Sequence, residues 1–312
     1  MSKLNPFFSV VIPLHNKANF IEACVESVLQ QDFKNFELII VDDGSTDDSI
    51  EKINNFKDNR VVLEQQQNKG AAYARNRGVE IATSHWIAFL DADDFWKENH
   101  LSEFYKAVQL FPDEVVFSSK PSIIKEHNKT TTAQYSFELD SKMKPLSYFE
   151  NSTKHSLLIT SGMLIKKDFF KQIGGFNEAI YSGQDTDLFI RIGLQKKIVF
   201  NPKSTFTYYV SSENNISKTP RFKERLTFIN AYQHQAEKNP ALQKYLDLNR
   251  FSIVLRAKMH GDSTWKVAQQ ELNENSLSKK QLFLLKLPGG LLKVLKSIQQ
   301  KLLQFGVEKS AF

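Results

Sequence analysis

Residues 7–14 read FFSVVIPL, a nearly continuous apolar run that is rich in β-branched side chains. Such a run predicts a strand buried on both faces, as in a parallel sheet. Similar runs follow at 36–41 (FELIIV), 60–65 and 86–90 (WIAFL), and stretches with helical spacing separate them. This alternation predicts an α/β fold with an open, doubly wound, mostly parallel sheet flanked by helices.

The strand and helix signals change character beyond the first half of the chain. Short strands are predicted at 115–118 and 162–165, whereas the polar stretch 120–144 predicts an irregular surface excursion. After about residue 220 the pattern becomes mainly helical. We therefore predict one α/β domain at 1–220 and a basic, mainly helical C-terminal extension at 221–312.

Composition excludes several classes of protein. The chain has 312 residues with 41% hydrophobic and 24% charged residues, which is typical of a globular protein. Its single cysteine, Cys24, excludes a disulfide framework and a cysteine-rich zinc site. No stretch reaches the ~18–20 apolar residues of a membrane span, and the N-terminal sequence lacks the features of a signal peptide. We expect a cytoplasmic protein, with the inner face of the cell membrane as an alternative location.

Charge is distributed unevenly along the chain. The net charge is +6, yet residues 201–312 carry 18 basic and 8 acidic residues, so the first 200 residues are net negative. The stretch 279–305 has six lysines and no acidic residue. Its apolar residues fall on one helical face: Leu291, Leu292, Leu295, Ile298, Leu302 and Phe305. This pattern predicts a basic amphipathic helix in peripheral contact with a membrane. Packing on the protein's own core and homodimer formation stay open as alternatives, and we expect no nucleic-acid binding.

Acidic residues cluster where predicted strands and helices meet. The clusters are Asp42/Asp43, Asp91/Asp93/Asp94 and Asp185/Asp187. The first two follow apolar strands, and open α/β sheets bind ligands at the carboxyl ends of their strands. Neighbouring carboxylates repel one another, and a metal ion or a hydrogen-bonding ligand would offset that cost. The oxygen ligands of an Asp-Ala-Asp sequence suit Mg²⁺ or Mn²⁺.

Several common catalytic motifs are missing from the sequence. There is no Walker A sequence, no G-x-G-x-x-G after the first strand and no G-x-S-x-G nucleophile elbow. A P-loop NTPase and a dinucleotide-dependent dehydrogenase therefore lose their main support. His15 stands at the end of the first predicted strand, where a functional and a structural role are both open.

Six motifs in order along the chain carry a family resemblance. They are VVIPLHN (10–16), VDDGSTDDS (41–49), NKGAAYARNRG (68–78), FLDADD (89–94), GGFNE (174–178) and QDTDLFIRI (184–192). Together, over about residues 6–215, they resemble glycosyltransferase family 2, whose members are inverting enzymes with the GT-A fold. Several motifs in register are far more specific than any one of them alone.

The resemblance implies a binding site for a nucleotide sugar, most simply a UDP-sugar. It places the nucleotide base near Pro13 and His15, with Asp43 accepting a hydrogen bond from the base. Gly70 and Arg75 would line the same site.

The resemblance also assigns roles to the D-x-D motif, Asp91-Ala92-Asp93. Asp91 would face the ribose, with Ala92 lining the nucleotide site beside it. Asp93 would hold a divalent cation, Mn²⁺ or Mg²⁺, that bridges the diphosphate.

The last motif implies that Asp185 is the general base. The family has Glu-Asp here, whereas this chain has Gln184-Asp185, so one neighbouring negative charge is absent. The expected reaction transfers a sugar to a hydroxyl of a surface glycan or a lipid-linked saccharide. A sugar nucleotidyltransferase and a non-catalytic partner protein that binds nucleotide sugars remain alternatives.

Overall fold

The computed structural model describes residues 5–125, 129–209 and 220–304, with side chains from 125, 129 and 300–304 left out. The chain divides into two compact units, Met1–Ile216 and Ser217–Phe312. We call the first the sheet unit and the second the helical unit.

One mixed sheet organises the sheet unit. Its strands within the described residues are β1 (Phe8–Leu14), β2 (Phe36–Asp42), β3 (Val61–Gln65), β4 (Trp86–Phe89), β5 (Phe95–Trp96), β6 (Val116–Lys125), β7 (Lys129–Thr132), β8 (Lys144–Leu146), β9 (Met163–Lys166) and β10 (Ile198–Tyr209). Their order is β3-β2-β1-β4-β9-β6-β10-β5, with β7 paired to β6 and β8 paired to β10.

Most strands of the main path run in one direction. The pairs β1/β2, β2/β3, β1/β4 and β6/β10 are parallel. Strand β9 lies antiparallel between β4 and β6, so β6 and β10 again run with β1. Strand β1 is buried along almost its whole length because it has neighbours on both sides. The predicted α/β fold with a mostly parallel sheet is confirmed.

Helices flank this sheet. They are α1 (Ile21–Leu29), α2 (Ser49–Asn54), α3 (Ala71–Ile81), α4 (His100–Leu110), α5 (Tyr148–Asn151), α6 (Lys167–Gln172) and α7 (Gln184–Gly193). Helix α3 approaches β1 closely through Gly78, because a Cβ atom there would lie 2.4 Å from Cγ1 of Val11. The absence of a side chain at Gly78 therefore sets the distance between α3 and the sheet.

The prediction of an irregular excursion at 120–144 was wrong for part of that stretch. Strand β6 continues to Lys125, and β7 pairs with it in antiparallel register. Strand β8 lies antiparallel to β10. Strand β7 carries no apolar alternation because it is an edge strand whose threonines are exposed or half-buried, and threonine favours extended backbone.

The helical unit packs around one long helix. Its helices are α8 (Phe222–Asn230), α9 (Gln233–Ala236), α10 (Pro240–His260), α11 (Thr264–Gln270), α12 (Lys279–Lys286) and α13 (Gly289–Gln304). Helix α10 begins where the Asn239 side chain accepts a hydrogen bond from the Leu242 N–H, and it ends at Gly261 in the left-handed conformation. The first feature is an ordinary signal for the start of a helix, and the second is an ordinary signal for its end.

A closed polar network is buried in this unit, around Asp247 and Arg250 on α10. Asp247 accepts hydrogen bonds from Arg250 Nη1, the Asn273 N–H, the Gln243 amide and the Ser276 hydroxyl at 2.7–3.2 Å. Arg250 also donates to Asn230 and Gln233. We call this set the Asp247–Arg250 network. The network gives hydrogen-bond partners to the carboxylate of Asp247 and to the guanidinium of Arg250 within the core.

Helix α13 packs on the helical unit's own core with one side only. Leu292 is fully buried in that core and Leu295 packs against it. Leu291, Val294 and Ile298 remain exposed beside lysines. Phe305, from the predicted apolar face, lies outside the described residues. So does the side chain of Leu302.

Within the described parts of the chain, no helix is both long and apolar enough to span a bilayer.

Candidate functional site

The ends of three neighbouring parallel strands define one edge of the sheet unit. Strand β1 lies between β2 and β4, and His15, Asp43 and Asp91 follow these strands in turn. Leu14 pairs with Asp42, and the Asp43 N–H donates to the Leu14 carbonyl at 2.8 Å. Two of the three acidic clusters therefore lie at the edge where α/β sheets bind ligands.

Asp43 is buried and holds the loop that leads into α3. Its carboxylate accepts hydrogen bonds from the N–H groups of Lys69 and Gly70, at 2.8 and 2.7 Å, and from the Gln66 amide at 2.8 Å. Gly70 has a positive φ of 94°, which glycine adopts without strain. The structure thus shows Asp43 as a positioning residue for the start of α3.

Gln66 was not recognised from the sequence. Its amide nitrogen donates to Asp43, while its Oε1 is buried without a hydrogen-bond partner among the described residues. Buried polar atoms usually have partners. Gln66 therefore marks a polar position beside the candidate site for the nucleotide base. In the sequence, no periodicity or motif distinguishes it from Gln65 and Gln67.

His15 lies at the mouth of the site. Its ring is exposed, and the Asn68 amide nitrogen is 3.2 Å from Nε2. Pro13 is half-buried at the end of β1. The next residue after His15, Asn16, has a positive φ of 51°, and its side chain accepts a hydrogen bond from the Thr46 N–H at 2.8 Å. The loops after β1 and β2 are thereby tied together.

Both outer carboxylates of the D-x-D motif have basic partners from other elements. Asp91 Oδ1 accepts from Arg75 Nη2 on α3 at 2.5 Å, and Asp93 Oδ2 accepts from Lys17 Nζ at 2.7 Å. Ala92 between them is buried. The Arg75 guanidinium also lies 5.1 Å from the ring centre of Phe176. Arg75 therefore lies beside Asp91, and Lys17, which was not singled out from the sequence, lies beside Asp93.

Asp94 anchors the same loop from inside the protein. It is fully buried and accepts hydrogen bonds from the Ser161 hydroxyl and from the Tyr209 N–H, the latter at 2.9 Å. Burial, and then the charges of Asp93 and Asp91, raise the pKa of the Asp94 carboxyl well above its ordinary value. Asp94 therefore ties the D-x-D loop to the end of β10.

The single cysteine lies directly behind the motif. The Cys24 thiol is buried and donates to the Asp91 carbonyl at 3.6 Å. Burial, followed by the nearby charges of Asp94, Asp93 and Asp91, raises the pKa of this thiol. Cys24 is therefore an inert packing residue in this environment.

Asp185 lies in the first turn of α7 and is exposed. Its Oδ1 accepts a hydrogen bond from the Thr186 N–H at 2.7 Å. Tyr208 on β10 connects this acid to the D-x-D loop electrostatically. Burial, followed by the charges of Asp94, Asp91, Asp185 and Asp93, raises the pKa of the Tyr208 phenol. The carboxylates of two separate motifs thus act on one half-buried side chain.

The neighbours of Asp185 have structural contacts. Asp187 and Arg191 form an ion pair at 2.6 Å on α7, and Arg191 also donates to the Ile173 carbonyl. Gln184 is buried, and its Oε1 has no hydrogen-bond partner among the described residues. A glutamate at this position would place a charge in that buried environment, which is costly. The neutral amide therefore fits the position better than the carboxylate of the family pattern.

The residues fit a divalent cation that is completed by a ligand. Among the described residues, no group of three or more His, Cys, Asp or Glu side chains could hold a metal ion. Mg²⁺ is usually held by one or two carboxylates together with substrate phosphates and water. Asp93, which already binds the ammonium of Lys17 as a stand-in cation, meets that description.

The fold agrees with the GT-A class: parallel strands, the antiparallel β9 between β4 and β6, and acidic clusters at the strand ends. The model of the family "Glycosyl transferase family 2" matches residues 9–174, which is more than half of the chain. This chain belongs to that family.

Curated relatives agree with this assignment. The glycosyltransferase GlyG of Streptococcus pneumoniae serotype 4 is 41% identical over 119 residues, covering 37% of this chain and 40% of the relative. The Escherichia coli protein named UDP-Glc:alpha-D-GlcNAc-diphosphoundecaprenol beta-1,3-glucosyltransferase WfaP is 40% identical over 129 residues, covering 41% of this chain and 50% of WfaP. The amylovoran biosynthesis glycosyltransferase AmsB of Erwinia amylovora is 28% identical, covering 82% of this chain and 86% of AmsB. The chain thus spans half or less of GlyG and WfaP.

A solved structure shares the fold. The crystal structure of Staphylococcus aureus TarS 1–349 superimposes with a TM-score of 0.67 at 18% identity, covering 86% of this chain and 82% of that one. TarS 1–349 has also been solved in complex with UDP-GlcNAc.

Proposed function

We propose that this chain is an inverting glycosyltransferase. It transfers a sugar from a nucleoside diphosphate sugar, most simply a UDP-sugar, to a hydroxyl of a saccharide acceptor. One observation carries the proposal: the ends of the parallel strands β1, β2 and β4 bring Asp43 and the Asp91–Asp93 loop to one edge of the sheet, where Arg75 and Lys17 pair with Asp91 and Asp93. Acids and bases suited to a nucleoside diphosphate thus lie together at the edge where α/β sheets bind ligands.

The donor assignment follows from the strand ends. We assign the nucleotide base to the surface around Pro13 and His15, with Asp43 and Gly70 supporting the loop beside it. Arg75, Asp91 and Ala92 would line the ribose and diphosphate. UDP is favoured because the name of WfaP specifies UDP-Glc and because the TarS fold binds UDP-GlcNAc.

The proposed mechanism uses charges that the chain supplies. Asp185 accepts the proton of the acceptor hydroxyl, which attacks the anomeric carbon from the face opposite the leaving group. Arg75 and Lys17 offer positive charge to the departing diphosphate. A divalent cation bound at Asp93, Mn²⁺ or Mg²⁺, would supply Lewis-acid stabilisation of the same charge. A single displacement inverts the anomeric centre without a covalent enzyme intermediate.

The acceptor is proposed to be a surface glycan under assembly or a saccharide on a lipid carrier. The name of WfaP specifies a diphosphoundecaprenol acceptor, and AmsB is named for amylovoran biosynthesis. Lysines and exposed apolar residues on α12 and α13, among them Phe283 and Val294, suit peripheral contact with an anionic membrane surface. We therefore assign transfer to the proposed 1–220 domain and membrane contact to 279–305, at the cytoplasmic face.

The proposal is tested by isothermal titration of the full chain with UDP, GDP, CDP and dTDP, each with and without Mn²⁺. We expect one nucleotide, UDP, to bind with an affinity that rises when Mn²⁺ is present. Binding of none of the four would contradict the proposal. A sugar nucleotidyltransferase would instead release pyrophosphate from a nucleoside triphosphate. A non-catalytic partner would bind UDP-sugars without transferring the sugar to an acceptor and without releasing UDP.

A further inference from the structure

The Lys17–Asp93 ion pair joins two loops at the site. Lys17 lies between β1 and α1, and Asp93 lies in the loop after β4. Lys17 Nζ is 2.7 Å from Asp93 Oδ2, and the two side chains are 13% and 17% exposed. The ammonium thus occupies the oxygen atom of the D-x-D motif that is the natural ligand for a divalent cation.

A metal ion and the Lys17 ammonium compete for this carboxylate. The ammonium donates a hydrogen bond to Oδ2, and its positive charge repels a second cation at the same carboxylate. The Lys17 ammonium therefore opposes binding of a metal to the protein alone. The displaced ammonium needs another anion nearby, because an unpaired charge in a mostly buried position is unfavourable.

Lys17 is better suited to move than Arg75, the other cation at the motif. Arg75 projects from a helix and packs against the ring of Phe176 while it pairs with Asp91. Lys17 has a flexible four-carbon stem in a loop, and its Nζ is 5.8 Å from the ring centre of Phe20. A lysine ammonium also binds phosphate as a point charge without strict geometry.

We propose that Lys17 is an exchangeable counter-ion that couples donor binding to metal binding. The diphosphate of the donor draws the ammonium away from Asp93, and Asp93 then accepts the divalent cation. This inference rests on the proposed donor class. Since coupling between two ligands is reciprocal, each of them strengthens the binding of the other.

The test uses the full 312-residue chain and Mn²⁺ binding measured by electron paramagnetic resonance, with and without saturating UDP. In the wild type we expect weak Mn²⁺ binding alone and at least tenfold tighter binding with UDP, about the range of coupling factors seen in proteins. In Lys17→Met we expect Mn²⁺ alone to bind at least fivefold more tightly than in the wild type. UDP should bind the variant more weakly both with and without metal, because the contact between Lys17 and the diphosphate is lost in both cases. The coupling factor should therefore shrink by the factor that Mn²⁺ alone gains.

A matched control is Lys106→Met, which removes one positive charge from an ion pair with Glu103 on α4. It should leave both affinities unchanged. Lys17→Gln provides a second variant, and circular dichroism confirms that each protein is folded.

Two failures are distinguishable. If Lys17→Met and Lys17→Gln bind Mn²⁺ alone no more tightly than the wild type, the counter-ion role is wrong even though UDP binds. If no nucleotide binds the wild type, the proposed donor class fails, and tighter Mn²⁺ binding by the Lys17 variants would then support only the displacement step.

Discussion

The two units of the chain handle charged pairs in opposite ways. In the helical unit, Asp247 and Arg250 are 0% and 1% exposed, and the network supplies partners to both. In the sheet unit, the pairs Lys17–Asp93 and Arg75–Asp91 retain up to 28% exposure. The pair in the helical unit is closed to ligands, and the two pairs in the sheet unit are open to them.

This difference indicates what each arrangement can do. A buried pair with complete hydrogen bonding fixes one packing of its helices, because removal of either partner leaves an uncompensated charge. A partly exposed pair costs less to separate, and an incoming ligand can replace one member. The helical unit therefore uses charge for structure, whereas the sheet unit keeps charge available for binding.

The largest expected effect is on activity and concerns the open site. Asp185→Asn should reduce sugar transfer by about 10²–10⁴-fold, the usual contribution of a general base. The asparagine Oδ1 can still accept the Thr186 hydrogen bond, so stability and UDP binding should be unchanged. Turnover measured by UDP release, together with titration of UDP, checks both parts. Loss of UDP binding would instead indicate a structural role for Asp185.

The next effect is on stability and concerns the closed network. Arg250→Met should destabilise the helical unit by about 3–5 kcal/mol, because Asp247 is left buried without its cation. Hydrogen exchange of the α10 amides, followed by mass spectrometry, reports this loss locally. The double variant Asp247→Leu/Arg250→Met should recover much of it. If Arg250→Met leaves exchange in α10 unchanged, the comparison between the two units is wrong.

An intermediate effect tests whether packing sets the geometry of the open site. Gly78→Ala places a Cβ against Val11 and should cost about 1–3 kcal/mol, as overpacking of a core does. The shift of α3 should also move Arg75 away from Asp91 and weaken UDP binding. Gly290→Ala, where a Cβ meets nothing within 4 Å, is the control. Unchanged UDP affinity in a destabilised Gly78→Ala would show that the site tolerates movement of α3.

The smallest effect is on the pH dependence of stability and concerns a buried residue of the sheet unit. His100 is buried, stacks on Trp96, and its Nδ1 is 2.6 Å from Thr205 Oγ1. Burial lowers its pKa from 6.5 to about 3, so the unfolded chain binds the proton more readily. The free energy of unfolding therefore has its full value above pH 6.5, and it decreases as the pH falls toward 3. At pH 5.5 the loss in the free energy of unfolding is on the order of 1 kcal/mol.

Urea unfolding of the wild type and of His100→Gln at pH 7.5 and 5.5 measures this contribution. The variant should be less stable at pH 7.5, and its stability should fall less between the two pH values. Equal pH dependence in both proteins would contradict the neutral buried state of His100.

The part of the fold that the sequence predicts well is the part with strong apolar runs. Strands β1, β2, β3 and β4 follow the predicted positions closely because buried parallel strands need continuous apolar residues. Strand β7 was missed because an edge strand of lysine and threonine buries little and leaves no such pattern. Strand β5 was missed because two residues are too few for any periodicity.

The candidate site shows the same limit. The acidic motifs were visible, and the assembly of two of them at one sheet edge follows from the parallel order of the strands. Lys17 and Gln66 were not recognised, because a loop lysine or glutamine resembles any other until the fold brings it to a carboxylate. The burial of Gln184 likewise depends on how α7 packs, which spacing alone does not reveal. The assigned roles of Asp93 and Asp185 remain predictions until the variants are measured.

Cys24 has a practical consequence for spectroscopy. It is the only cysteine of the chain, and its buried thiol has a raised pKa, so alkylating reagents should leave it unmodified. A cysteine introduced at an exposed position such as Leu110 or Phe283 would then be the one thiol that a maleimide dye reaches. Labels can thus be attached to either unit without removing a native residue. Two such labels would report the distance between the units, and how it responds to donor, by fluorescence energy transfer.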